Sequence, residues 1–163
     1  TFVRIKCLFL DRNCTFKVMP EREKRLKLLV QAISANATRL EGYRWASEHA
    51  VSKGNGGLRR VFLDHMQQSI DFRLQFNALA MALGSLEEVC ALGEGEMARK
   101  FFAMGSNVGK EDINDVLLHC RRIERGFTES YLSIIAQSHG FFPALVEVLH
   151  EQLIVQQAQD QKL

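Results

Sequence analysis

Proline is almost missing from this chain: two in 163 residues, Pro20 and Pro143. Both stand where a helical pattern begins, the one helical position that tolerates a residue without an N–H. Long apolar runs are missing too. None approaches the roughly 18 residues a membrane helix needs, so no membrane span is expected. Excess charge is missing: 21 basic against 19 acidic residues leave a net +2. That is too little to point to a nucleic-acid partner, and the doublets Arg59-Arg60 and Arg121-Arg122 read as solvated helix faces. The four cysteines, Cys7, Cys14, Cys90 and Cys120, form no CxxC pair, which argues against a structural zinc site. There is no GxGxxG, no P-loop and no nucleophile elbow. Gly93-Glu94-Gly95 is too short to cradle phosphates. No enzymatic class is indicated.

What the chain has is helical periodicity and enough apolar residues, 47%, to bury a core. The spacing predicts a first helix over about Glu21–Lys53, with Leu26, Leu29, Ile33, Ala37, Leu40 and Arg44 along one face. Gly54-Asn55-Gly56-Gly57 ends it. A second helix follows over about Leu58–Leu83, its inward line running through Leu58, Val61, His65, Ser69, Phe72, Phe76, Leu79 and Leu83. A third spans about Lys110–Gln137, with Ile113, Val116, Cys120, Glu124, Phe127, Tyr131 and Ile134 inward. A fourth restarts after Gly140 and runs to about Gln159, with Phe142, Leu145, Leu149, Leu153 and Gln156 on one side. The connection from Gly84 to Gly109 is too long for a structureless loop in a compact domain, and Leu86–Met104 can form a short helix within it. Two helical hairpins joined by one long crossover form the ferritin-like version of a four-helix bundle.

Residues 1–20 form an N-terminal extension, set apart from the bundle of residues 21–163. Val3, Ile5, Cys7 and Phe9 alternate with their neighbours, and Asp11-Arg12-Asn13 offers a turn before Thr15-Phe16-Lys17-Val18. This reads as a β-hairpin; the alternative is a tail that gains order only through contacts. A lone hairpin is marginal in water, so it would pack on the bundle or pair with another copy. Arg4, Lys6, Asp11 and Arg12 interrupt the apolar residues between Thr1 and Met19, so the segment does not read as a secretory signal. Cys7 and Cys14 could face each other across the hairpin, but reduced thiols in a cytoplasmic protein are the expectation.

Several segments resemble a family of small bacterial ferritin-like four-helix-bundle proteins. They are Glu41-Gly42-Tyr43-Arg44-Trp45-Ala46-Ser47-Glu48, the stretch from Gln67-Gln68 to Phe72, the Leu83-Gly84 end, and Cys120-Arg121-Arg122-Ile123-Glu124-Arg125-Gly126. The resemblance covers about Leu26–Gln159 and implies the bundle fold. It brings no established activity, and fold alone supplies none.

Ferritin-like bundles that hold two irons or manganese ions use one inward Glu from each of two helices and Glu-x-x-His from each of the other two. Glu41 and Glu124 fit the two single glutamates. Glu147-Val148-Leu149-His150 has the string for a pair, but with Leu149 inward, Glu147 and His150 fall about 160° and about 100° away. Gln152 and Gln156 stand where the fourth helix would need ligands. His65 is the one inward polar group singled out on the second helix. Two readings follow. The favoured one is a buried polar network of Glu41, Arg44, His65, Glu124 and Gln156 in a non-enzymatic, self-associating structural or interaction protein. The other is an oxidase or storage protein holding iron or manganese on a nonstandard site of Glu41, His65 and Glu124. A small-molecule pocket in the bundle core is a third use of such a fold.

Overall fold

The computed structural model describes residues 20–90 and 112–160. Over these the chain is helical, with no strand among the described residues. The main helices are α1 (Glu21–Ser52), α2 (Gly56–Ala82), α3 (Ile113–Ser138) and α4 (Pro143–Asp160). Residues 86–90 are also helical. The hairpin expected in residues 1–20, the Cys7–Cys14 pairing and most of the helix expected over Leu86–Met104 lie outside the described residues.

The helix boundaries follow from local chemistry. Gly54 takes a φ of 67° and closes α1, a conformation that suits a residue without a Cβ. Asn55 then caps α2, its side chain accepting from Leu58 N at 3.1 Å. That cap carries the helix back through Gly56 and Gly57, two residues before the expected Leu58. Asp112 caps α3 in the same way, accepting from Ile113 N at 2.8 Å, which moves its start from Lys110 to Ile113. Gly140, with a φ of 90°, turns the chain into Pro143, the first residue of α4.

Helix α1 packs on α2 and α3, and α4 packs on the same two. Contacts between elements give the directions. Asn36 meets Ser69 and Arg22 meets Ser85, so α1 and α2 are antiparallel. Arg39 meets Glu124 while Trp45 meets His119, so α1 and α3 are antiparallel too. Hence α2 and α3 run the same way. Gln156 on Glu124 and Gln152 on Tyr131 set α4 antiparallel to α3.

The interior has three layers. One apolar cluster includes Leu29, Ile33, Phe72, Phe76, Phe127, Tyr131, Leu145 and Leu149. A second holds Tyr43, Trp45, Ala46, Ala50, Phe62, Val116 and Cys120. Between the two clusters lies a set of buried polar residues: Asn36 and Arg39 on α1, His65, Gln68 and Ser69 on α2, Glu124 on α3 and Gln156 on α4. Each large apolar side chain buried in the flanking clusters contributes about 1.5–3 kcal/mol. Those clusters hold the polar layer out of water.

The inward line of α1 differs from the expected one. It runs Leu29, Ala32, Asn36, Arg39, Tyr43, Ala46, Ala50, all at most 2% exposed. This is a clean alternation of three- and four-residue steps, shifted off the Leu26–Arg44 line so that Arg39, not Arg44, points to the centre.

Candidate functional site

Arg39 is the hub of the polar layer, and each of its three nitrogens meets an acceptor. Nε donates to Glu124 Oε1 at 2.8 Å. Nη1 donates to Ser69 Oγ at 2.8 Å and to the His65 carbonyl at 3.4 Å. Nη2 donates to Gln68 Oε1 at 2.5 Å and lies 3.0 Å from His65 Nδ1. A guanidinium presents five donors and no acceptor, and this buried cation is matched at each nitrogen. Its carbon also sits 5.1 Å from the Phe127 ring centre and 5.4 Å from that of Tyr43, within cation–π range.

Glu124 is met from three helices. Tyr43 OH donates to Oε1 at 2.6 Å, alongside Arg39, and Gln156 Nε2 donates to Oε2 at 2.8 Å. Burial pushes this carboxyl up, but contact with His65, the Arg39 charge and the donors Tyr43 and Gln156 outweigh it. The net effect holds Glu124 below the ordinary carboxylate range. Tyr43 is driven the other way, by burial and by the adjacent carboxylate, and stays a phenol. Cys120, one turn before Glu124, is pushed up to about 12 by burial and by the same negative charge.

His65 has no exposed surface and stacks on Tyr43, ring centres 4.4 Å apart. Its Nδ1 lies between Arg39 Nη2 at 3.0 Å and Glu124 Oε1 at 3.4 Å. Arg39 can only donate, so a ring without a proton on Nδ1 accepts from it, and a ring protonated there donates to Glu124 Oε1 instead. Nε2, Gln156 Oε1 and Asn36 Oδ1 have no hydrogen-bond partner among the described residues.

A second polar bridge lies one layer away. Tyr131 OH donates to Gln152 Oε1 at 2.8 Å, and Gln152 Nε2 donates to Gln75 Oε1 at 2.6 Å. It ties α3, α4 and α2 together inside the larger apolar cluster.

Of the five residues expected in the centre, the structure brings together His65, Glu124 and Gln156. Glu41 and Arg44 are elsewhere. They pair with each other at 3.2 Å on the far side of α1, with the Arg44 side chain 44% exposed. Burial raises Glu41, partly offset by Arg44, while Glu48 raises it further. Sequence reasoning missed Arg39, Tyr43, Gln68 and Ser69 as members. The available signal was Glu124 itself, since an inward carboxylate needs a cation, and Arg39 lies five residues before Arg44 on the same helix.

This donor set does not fit an iron or manganese pair. Both Glu124 oxygens are bonded to protein donors, and a fixed cation already stands against Oε1. Glu41 does not approach His65 or Glu124. Among the described residues, no three His, Cys, Asp or Glu side chains group to hold a metal ion. Glu147 and His150 are exposed. A groove of about 870 Å³ runs outside the centre, between α1 and α3, past Ala35, Arg39, Arg122 and Gly126. No described helix is long and apolar enough to cross a membrane.

The two segments of α1 and α3 that carried the family resemblance meet here. Tyr43 bonds Glu124, and Gly42 takes the Ile123 side chain against its bare Cα. Comparison with protein-family models, characterised proteins and solved structures finds no match to this chain.

Proposed function

We propose that this chain is a non-enzymatic, cytoplasmic helical bundle of the ferritin-like arrangement, acting as a self-associating structural or interaction protein. One observation carries the reading. The guanidinium of Arg39 stands against Glu124 in the bundle centre, where a ferritin-like metalloprotein would place its ions. A fixed organic cation there neutralises the carboxylate and joins α1, α2 and α3 into one register. It leaves no carboxylate oxygen open to a metal or a substrate. The resemblance of the α1 and α3 segments to small bacterial ferritin-like proteins supports the same arrangement.

Two measurements test this. Elemental analysis after purification from iron- and manganese-supplemented cells is expected to give substoichiometric metal, unchanged by His65→Ala. Stoichiometric metal lost in that variant would establish the alternative, an iron or manganese oxidase or storage protein using Glu41, His65 and Glu124. Sedimentation equilibrium is expected to show mass above that of one chain, and a strictly monomeric protein would remove the self-association.

A further inference from the structure

We propose that the Asn55-Gly56 bond is a site of spontaneous deamidation, held shut in the folded protein by the cap of α2, so that its modification records opening of the α1–α2 turn. The chain has six asparagines, and only Asn55 is followed by glycine. A glycine there leaves the attacking nitrogen unhindered and its backbone free to bend into a ring. Gly56 and Gly57 are exposed, and a Cβ at Gly56 would meet nothing within 4 Å. Gly56 is also the first residue of α2, so its N–H has no acceptor within the helix.

The chemistry needs only the chain and water. Gly56 N attacks Asn55 Cγ, the Cγ–Nδ2 bond breaks, and ammonia leaves with the proton from Gly56 N. Water then opens the cyclic imide. Addition at Cγ leaves aspartate in the original chain. Addition at the Asn55 carbonyl carbon leaves isoaspartate, with the chain rerouted through the side chain. The folded geometry opposes the first step. Ring closure needs Gly56 N and Asn55 Cβ on the same side of the Cα–C bond, which for an L residue means a ψ of about −120°. Asn55 has a φ of −93° and a ψ of 81°, which sets the two atoms nearly opposite each other. Closing the ring turns ψ by about 160° and swings the Asn55 carbonyl away from α2. That carbonyl accepts from Arg59 N at 3.1 Å, and Asn55 Oδ1 accepts from Leu58 N at 3.1 Å. Both bonds break before the ring forms, and two such bonds favour the closed turn by about 10- to 100-fold. The residues around them, from Val51 to Gly54 and from Gly56 to Gly57, are exposed, so this turn opens locally with less free energy than the bundle needs to unfold. The two products then differ. Aspartate keeps an oxygen for Leu58 N and adds negative charge to a first turn that has no acidic residue, which suits a helix N-terminus. Isoaspartate adds a methylene to the main chain and breaks the cap.

Peptide mapping by mass spectrometry tests this on the full chain, incubated at mildly alkaline pH either folded or in guanidinium chloride. In denaturant the peptide carrying Asn55 should gain the mass of an NH2-to-OH exchange, with isoaspartate among the products, faster than any peptide carrying another asparagine. In the folded protein the same gain should appear about 10- to 100-fold more slowly. Amide hydrogen exchange at Arg59 should be slowed by a similar factor, because one opening exposes both. Asn55→Ser keeps a capping oxygen without the amide, so it should fold as the wild type does and its peptide should stay unmodified. Equal rates in folded and unfolded protein overturn the gating by the cap. Folded protein that stays unconverted, over a time in which the measured Arg59 protection allows conversion, overturns the route through turn opening. An unfolded chain that does not convert at Asn55, or a mass gain that survives in Asn55→Ser, overturns the site itself.

Discussion

Replacing Arg39 by methionine removes a positive charge and five donors from a position with no exposed surface. Glu124 would keep Tyr43 and Gln156 but lose its counter-charge. At an effective dielectric of ~20, unit charges 2.8 Å apart attract by about 6 kcal/mol. Stripping water from two ions takes back several kcal/mol for each. The intact pair is therefore close to neutral against an apolar replacement, whereas a stranded partner costs about 3–5 kcal/mol. Arg39→Met and Glu124→Leu should each destabilise by that amount. The double variant should lose less than the sum by about 2 kcal/mol or more, because neither charge is left unpaired. Arg39→Lys should also destabilise, since an ammonium cannot reach Glu124, Ser69, Gln68 and the His65 carbonyl at once. The assay is urea unfolding at neutral pH followed by circular dichroism, with Glu124→Gln as a milder partner in the cycle should Glu124→Leu leave too little folded protein. Additivity within about 0.5 kcal/mol would refute the claim that these two charges act as one unit.

The depressed Glu124 carboxyl gives a pH dependence of definite sign. A carboxyl lowered in the folded state contributes stability above its unfolded value near 4.5, and that stability is lost as pH falls toward the lower folded value. Unfolding midpoints measured from neutral to acid should therefore fall more steeply for the wild type than for Glu124→Gln, and equal slopes would remove Glu124 as the source. Cys120, buried and pushed up to about 12, should resist thiol reagents at mild alkaline pH until the protein unfolds. Peptide mapping that finds it labelled in the native state as fast as an exposed thiol would contradict its place under Glu124. Gly42→Ala gains about 1 kcal/mol of helix propensity but drives its Cβ onto Ile123 Cδ1, so it should stabilise more in an Ile123→Val background than in the wild type. Equal effects in the two backgrounds by denaturant titration would show that Ile123 moves aside freely.

Much of the bundle was legible because α2, α3 and α4 each bury one face. On α3 the line Val116, Cys120, Glu124, Phe127, Tyr131, Ile134 is both the expected and the observed inward set. The helix directions were legible from loop lengths alone, since a short link reverses the chain and a long one lets it return. On α1 the reading slipped in phase. Buried residues lie around much of that helix, including Leu28, Glu41 and Trp45, so apolar periodicity does not fix a single face. Its two central inward residues, Asn36 and Arg39, are polar, and an apolar pattern passes over them. The cap at Asn55 was equally invisible to a rule that treats Gly56 and Gly57 only as breakers.

The phase slip concerned the residue that decides the chemistry. Arg44 and Arg39 are both arginines on one helix, yet five residues apart they point about 140° from each other. With Arg44 inward, its guanidinium would be the partner of Glu124, and Glu41 would sit near enough to suggest a second carboxylate ligand. With Arg39 inward, Glu41 turns away to pair with Arg44, and Glu124 is neutralised by a group that cannot lose its proton. One helix's rotation thus decides whether a second carboxylate stands beside Glu124. Arg39 settles that rotation energetically as well. Turning α1 to bring Arg44 inward would undo the contacts of Arg39 with Glu124, Gln68, Ser69 and His65.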